Sequence, residues 1–266
     1  MAQRRKKPIT PNRYDPELGK IVHDAERYKG SPWADHWRDD ITDLGTEGCF
    51  ALKEINDKRP DFLKHKLWAI GDISVMESPF IVAFSGRSWE SKKPERDLGK
   101  EIIIRMSEMG LVPIHGNSKG VERNSARYLR EQHGRQILVP PYGPTEFKSF
   151  YGENMRNGIN RGHVLVLSPF LVFAKEEEDS RRKRNIFIAD LADAMIATQV
   201  TDENGGGYLA RQMLRRGKPV YLTEAQGREE YCVQDHEFFK ERGAEEFKLA
   251  QLDSVIRKIK ESKGYK

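Results

Sequence analysis

Ile81-Val82-Ala83-Phe84-Ser85-Gly86-Arg87 is the stretch on which the fold turns. Its unbroken apolar run predicts a strand buried on both faces. Ser85, Gly86 and Arg87 are small, flexible and cationic, the residue types a chain uses where its backbone must approach a phosphate. The stretch predicts a first strand that runs into a first anion-binding turn.

Downstream, Leu98, Ile102, Ile103 and Met106 recur at helical spacing up to Gly110, and Pro94 suits the first turn of that helix. Residues 111–115 predict the next strand, 116–120 a turn and 121–133 a helix. Residues 136–139 predict a third strand, and 140–163, rich in Pro, Gly and Asn, a long loop with one helical turn. A fourth strand is expected over 164–167, a helix over 185–191 and a fifth strand over 194–198. Asn204 to Gly207 open a helix through Arg216, and 219–222 predict a sixth strand. Strands alternating with helices point to an extended Rossmann-like α/β fold, a mostly parallel sheet with helices on both faces.

Upstream, residues 1–18 are basic and weakly apolar, and are expected to form a mobile arm. Over 19–65, Trp33, Trp37, Ile41 and Leu44 share one helical face, which predicts a small helical N-terminal cap. The Rossmann-like domain is placed at 66–224. A C-terminal helical extension over 225–266 ends in an amphipathic helix striped by Leu249, Leu252, Val255, Ile256 and Ile259. Core packing is the favoured role of that stripe, and self-association as a homodimer the weaker one.

Composition sets further bounds. The 266 residues carry 46 Lys and Arg against 41 Asp and Glu, a formal net charge of +5. Such an excess suits a polyanionic partner, and equally plain solubility. Cys49 and Cys232 are the only cysteines, which supplies no disulfide framework and fits a reducing cytoplasm. No apolar run approaches the roughly 18 residues that span a bilayer, so no membrane association is expected. The basic start lacks the apolar stretch of a secretory signal. The histidines show no metal-ligand spacing, and neither a Walker A loop nor G-x-G-x-x-G is present, so no metal or cofactor is expected.

Three small-residue turns follow strands: Ser85-Gly86-Arg87, Gly116-Asn117-Ser118-Lys119-Gly120 and Asn204-Gly205-Gly206-Gly207. In an open parallel sheet such turns lie at the carboxyl ends of strands, where ligands bind and helix N-termini present N–H groups to anions. An anion or nucleotide-like site is the favoured reading, against tight turns with solvated charges. The second turn also spells G-x-S-x-G between a strand and a helix, which nominates Ser118 as a hydrolase nucleophile. Too few strands precede it, and a triad with Asp202 and His236 would be an arbitrary choice. Arg181-Arg182-Lys183-Arg184 is the densest basic cluster, preceded by the acidic run Glu176-Glu177-Glu178-Asp179. Trp89, just past the first turn, is a candidate for stacking on a base.

These residues together resemble the DNA-processing protein A (DprA/Smf) family. His65-Lys66-Leu67-Trp68-Ala69-Ile70-Gly71-Asp72 and the strand ending in Ser85-Gly86-Arg87 are similar to its opening, a "Gly-Asp" segment and then a strand ending in "Gly-Ser-Arg". Gly116 to Glu122 is similar to its "Gly-Leu-Ala-Arg-Gly-Ile-Asp". Arg182 to Ala194 resembles its "Arg-Arg-Asn-Arg-Ile-Ile-Ala-Gly-Leu-Ser-Asp-Ala". Asn204-Gly205-Gly206-Gly207-Tyr208-Leu209-Ala210 resembles its "Ser-Gly-Ser-Leu-Ile-Thr-Ala". Order and spacing agree over roughly 66–224. Four positions depart from the pattern: Ile186 stands for the second Arg of "Arg-Asn-Arg", Glu122 for the Asp, Arg127 for a following His and Asn204 for the Ser. The family's N-terminal helical and C-terminal winged-helix modules are not recognisable, which suggests a divergent stand-alone relative.

The resemblance implies a Rossmann domain without established catalysis that binds single-stranded DNA in a positively charged pocket and helps load a recombinase. Carried over, Arg87, Lys119, Arg184 and Asn185 would line that pocket, with backbone N–H groups from Ser85, Gly86, Gly116, Asn117, Ser118, Gly120, Gly205, Gly206 and Gly207. Arg123, Arg127 and Arg182 are further expected phosphate contacts. The expected partners are single-stranded DNA or a nucleotide, with a recombinase or other DNA-processing protein beside them. The alternative is a nucleotide-binding or nucleotide-hydrolysing protein related to phosphoribohydrolases, whose "Pro-Gly-Gly-x-Gly-Thr-x-x-Glu" resembles Gly205-Gly206-Gly207. Arg211 or Gln212 stands where that motif needs its glutamate.

Overall fold

The computed structural model describes residues 68–86, 93–143, 146, 153–170, 174–198, 200–201, 204–224 and 230–264. The expected arm and cap of residues 1–65, and Arg87 and Trp89, lie outside these described residues.

The described strands are β1 (Trp68–Ile70), β2 (Ile81–Ser85), β3 (Val112–His115), β4 (Gln136–Leu138), β5 (Val164–Ser168), β6 (Ala194–Ala197), β7 (Val220–Thr223) and β8 (Glu245–Phe247). They form one sheet in the order β1-β5-β4-β3-β2-β6-β7-β8. Every neighbouring pair is parallel except β1 with β5. The described α-helices are α1 (Lys93–Glu108), α2 (Val121–Glu131), α3 (Glu153–Asn160), α4 (Ser180–Leu191), α5 (Gly205–Arg215), α6 (Glu230–Lys240) and α7 (Leu252–Glu261). The expected Rossmann-like α/β architecture is present.

β2 sits mid-sheet because all five of its residues can be buried. Its side chains alternate between two cores, as the period of a strand requires. Ile81 and Ala83 join Phe187 of α4, Met213 of α5 and Phe239 of α6 on one face. Val82 and Phe84 join Ile102 and Met106 of α1, Leu129 of α2 and Ile256 of α7 on the other. The stripe Leu252, Val255, Ile256 and Ile259 is thus core, as its spacing suggested. At the amino edge, the Asp193 carboxylate accepts the Ile81 N–H at 2.9 Å and pairs with Lys263 at 2.6 Å. Asp193 closes the far end of β2, opposite the turns.

Four features differ from the expectation. α4 begins at Ser180 rather than near 185, so the basic cluster is helical. Its start carries the charged run Arg181 to Arg184, with no apolar periodicity to mark it. α3 makes two turns inside the stretch read as a loop. β1 and β8 are three-residue edge strands, too short to show alternation, and β8 brings part of the 225–266 extension into the sheet.

Candidate functional site

The winding of the sheet reverses between β2 and β6. From β2 the chain moves outward to β3, and from β6 it moves the other way to β7. Loops leaving two such strands diverge and leave a crevice beyond their carboxyl ends. The end of β2 at Ser85 and Gly86, the turn after β3 and the start of α5 all meet there.

Close approach of backbones builds this edge. Ser85 pairs with Ala197, and its carbonyl accepts the Thr198 N–H at 3.1 Å. A β-carbon on Gly86 would lie 2.5 Å from the Thr198 hydroxyl oxygen and 2.7 Å from Cβ of Val121. Only glycine lets β2, the end of β6 and the start of α2 come this close. A β-carbon on Gly206 would stand 2.9 Å from Oγ of Ser85, which places the first turn of α5 against the same strand end.

Glu122 shapes the second turn. It is 6 % exposed, and both its oxygens are bound: one accepts the Ser85 hydroxyl at 3.0 Å, the other the Ser118 N–H at 2.9 Å. In the first turn of α2 its charge also faces the positive end of the helix dipole. Asn117 adopts the left-handed conformation, φ 53°, which asparagine tolerates better than most residues. Its N–H donates to Nδ1 of His115 at 3.1 Å. Nε2 of His115 lies 3.0 Å from Oε1 of Gln136, so the ring proton sits on Nε2. Burial lowers the pKa of His115 to about 4, against the smaller opposing pull of Glu122. The ring is therefore neutral at physiological pH and props the turn from beneath.

Arg184 is the brace between the two sides. It is only 5 % exposed. Its Nε and Nη2 donate to Oδ1 of Asn185 at 3.0 and 2.9 Å, and its Nη1 reaches the Gly116 carbonyl at 3.3 Å. A β-carbon on Gly116 would lie 2.3 Å from that guanidinium, so the glycine is the seat on which it rests. Nδ2 of Asn185 donates to the Gly205 carbonyl at 2.7 Å. One chain of polar contacts thus runs from the turn after β3, through α4, to the start of α5.

The expected site residues divide accordingly. Ser85, Gly86, Gly116, Asn117, Ser118, Gly120, Arg184, Asn185, Gly205, Gly206 and Gly207 gather at the crevice as floor and walls. Lys119 is exposed at the tip of its turn, and Arg123 is exposed with its guanidinium 3.3 Å from the Asn117 carbonyl. Arg182 is exposed in the first turn of α4, whereas its neighbours are engaged: Arg181 by Glu176, and Lys183 by Asp179 at 2.7 Å. Arg127 does not join the group; it lies along α2 and pairs with Glu131 at 2.9 Å.

Four positions of this architecture were not picked out as site residues from sequence. Glu122 sits at the family's Asp position, and its longer side chain reaches both partners. Asn204 replaces the family's Ser as N-cap of α5, with Oδ1 accepting the Gly207 N–H at 2.8 Å. Its place directly before the glycines was a readable capping signal. Thr198 and His115 carry no local signal; their roles arise from pairings made by the sheet.

The geometry gives no support to a Ser118–His236 pairing. His236 bonds to Glu246 of β8 at 3.1 Å, and β3 is four strand intervals from β8, about 19 Å at the usual spacing. At the position where a phosphoribohydrolase would hold its glutamate, Gln212 instead accepts from Arg216 at 3.0 Å.

A family model described as DNA recombination-mediator protein A matches residues 50–259. Among curated protein sequences none matches. The solved structures that share the fold include two DNA processing proteins. DNA processing protein A from Helicobacter pylori, described for its single-stranded DNA binding mode, is similar at TM-score 0.63 and 20% identity, over 80% of this chain and 92% of that one. DNA processing protein A from Streptococcus pneumoniae is similar at TM-score 0.61 and 20% identity, over 76% of this chain and 71% of that one.

Proposed function

The chain belongs to the DNA recombination-mediator protein A family, and from that membership we propose that it binds single-stranded DNA at the switch-point crevice, in DNA processing or recombination. The observation that carries the proposal is the convergence of three backbone turns on one strand edge, tied together by Arg184 and Asn185. Backbone phosphates would accept from N–H groups at the starts of α2 and α5. Within α5 the first intrahelical bond is the Tyr208 N–H to the Asn204 carbonyl, so the amides of Gly205 and Gly206 precede the helical ladder. Lys119, Arg123 and Arg182 supply exposed positive charge around the rim. Arg184 and Asn185 act as positioning residues, since their polar atoms already hold the floor. A recombinase or another DNA-processing protein is the protein partner this reading implies.

No chemical step is assigned. Among the described residues, the Glu122 carboxylate beside the second turn is committed through both oxygens. The test is a mobility shift with single-stranded and duplex DNA across a salt series. Single strands are expected to bind more tightly, with affinity falling steeply as salt rises. Lys119→Ala with Arg123→Ala should lower the slope of log K against log salt by about 1.4, at about 0.7 per lost phosphate contact. No binding at low salt, or binding indifferent to salt, would sink the proposal. A second reading, a mononucleotide ligand, draws on the same switch-point geometry. Thermal stabilisation by a mononucleotide and by no oligonucleotide would favour it instead.

A further inference from the structure

From the edge of the crevice, α4 and α5 present a basic face that continues beyond it. The two helices run side by side in the same direction. Asn185 binds Gly205 near their starts, while Arg216 pairs with Asp190 at 2.6 Å and Lys218 caps the Asp190 carbonyl at 2.7 Å near their ends. Along this pair lie Arg182 in the first turn of α4, then Tyr208, Arg211 and Arg215 of α5. The guanidinium of Arg211 stands over the Tyr208 ring, 5.9 Å from its centroid. Arg182 and Arg215 are exposed, and neither makes an ion pair among the described residues.

Three like charges gathered here repel one another. Burial lowers the pKa of Arg211, and the charges of Arg215 and Arg182 lower it further, with Asp235 of α6 the opposing charge. A face that stores such repulsion gains when a polyanion is laid across it. An aromatic ring beside it adds a surface on which a base can stack.

We propose that Arg182, Tyr208, Arg211 and Arg215 form an exit track on which a single strand leaving the crevice continues down the outer face of α4 and α5. This rests on the crevice reading and adds to it a second, length-dependent contact. From Gly205 to Arg215 the helix rises about 15 Å, room for several nucleotides. Arg182 sits where crevice and track join; Tyr208, Arg211 and Arg215 belong to the track alone. The ring supplies stacking, the two guanidinium groups phosphate contacts.

The test compares oligothymidylates of about 6 and about 20 nucleotides, binding to the full chain by fluorescence anisotropy, a range that brackets common single-strand site sizes. The wild-type protein should bind the longer strand more tightly. Arg211→Ala with Arg215→Ala should weaken the longer strand about tenfold and lower its salt slope by about 1.4, leaving the shorter strand unaffected. Tyr208→Ala should weaken the longer strand, and Tyr208→Phe should restore it, because the stacking face survives. If the short strand binds and length adds no affinity, or if the Arg variants weaken both strands equally, the track is overturned while the crevice stands. If neither strand binds at low salt, both fall.

Discussion

His115 is a side chain whose protonation the fold accommodates poorly. Its Nδ1 accepts the Asn117 N–H, and a proton there would set donor against donor in a fully buried site. The sign of the pH effect follows. The folded value, about 4, lies below the ordinary 6.5, so on acidification the unfolded chain takes up the proton first. The stabilisation is complete above pH 6.5 and is lost as pH falls from there through about 4, some 3 kcal/mol in all. Urea unfolding across this window should show the decline, and His115→Gln should flatten it. An equal decline in the variant would assign the effect to other groups. Arg184 makes the complementary point: a cation that the resemblance places in a phosphate pocket is at the same time a buried brace, holding the Gly116 carbonyl and Oδ1 of Asn185.

At the scale of elements, the contact of α1 with α2 fixes where the second turn stands. A β-carbon on Gly99 of α1 would lie 2.5 Å from Cγ1 of Val121 and 2.6 Å from Oγ of Ser125. Both partners are buried and backed by Phe84, so they have little room to yield. Gly99→Val is expected to cost about 1–3 kcal/mol by overpacking, a melting temperature lower by roughly 3–10 °C. An unchanged melting temperature would mean that the two helices can slide apart freely. Elements of this kind also show what sequence could carry. β2 through β7 were legible because each is a compact apolar run between turn residues, and α7 because its stripe has helical period. The start of α4 was hidden by charge, and β1 and β8 by brevity. In the site, the glycine turns were visible from residue type alone. The brace from Gly116 through Arg184 to Gly205 was not, because it joins positions 68 and 20 residues apart through contacts that only the folded sheet creates.

For the whole molecule, the decisive fact is the point of reversal. An eight-stranded sheet offers many strand ends, but among those described the winding changes direction between β2 and β6, and Gly86, Gly116 and Gly206 make their close approaches there. The formal charge of +5 is modest, so affinity for a polyanion must come from its arrangement rather than its amount. In the proposed reading, the exposed Lys119, Arg123 and Arg182 give that arrangement an entrance, and the face of α4 and α5 an exit. No described helix is long and apolar enough to cross a membrane. The most direct test is a crystal structure of the full chain with a short oligothymidylate. It should place a phosphate at hydrogen-bond distance, about 2.7–3.2 Å, from backbone N–H groups in the turns at 116–120 or 204–207, beside the Arg184–Asn185 brace. A strand bound at the amino edge of the sheet, or elsewhere with the crevice empty, would contradict the account.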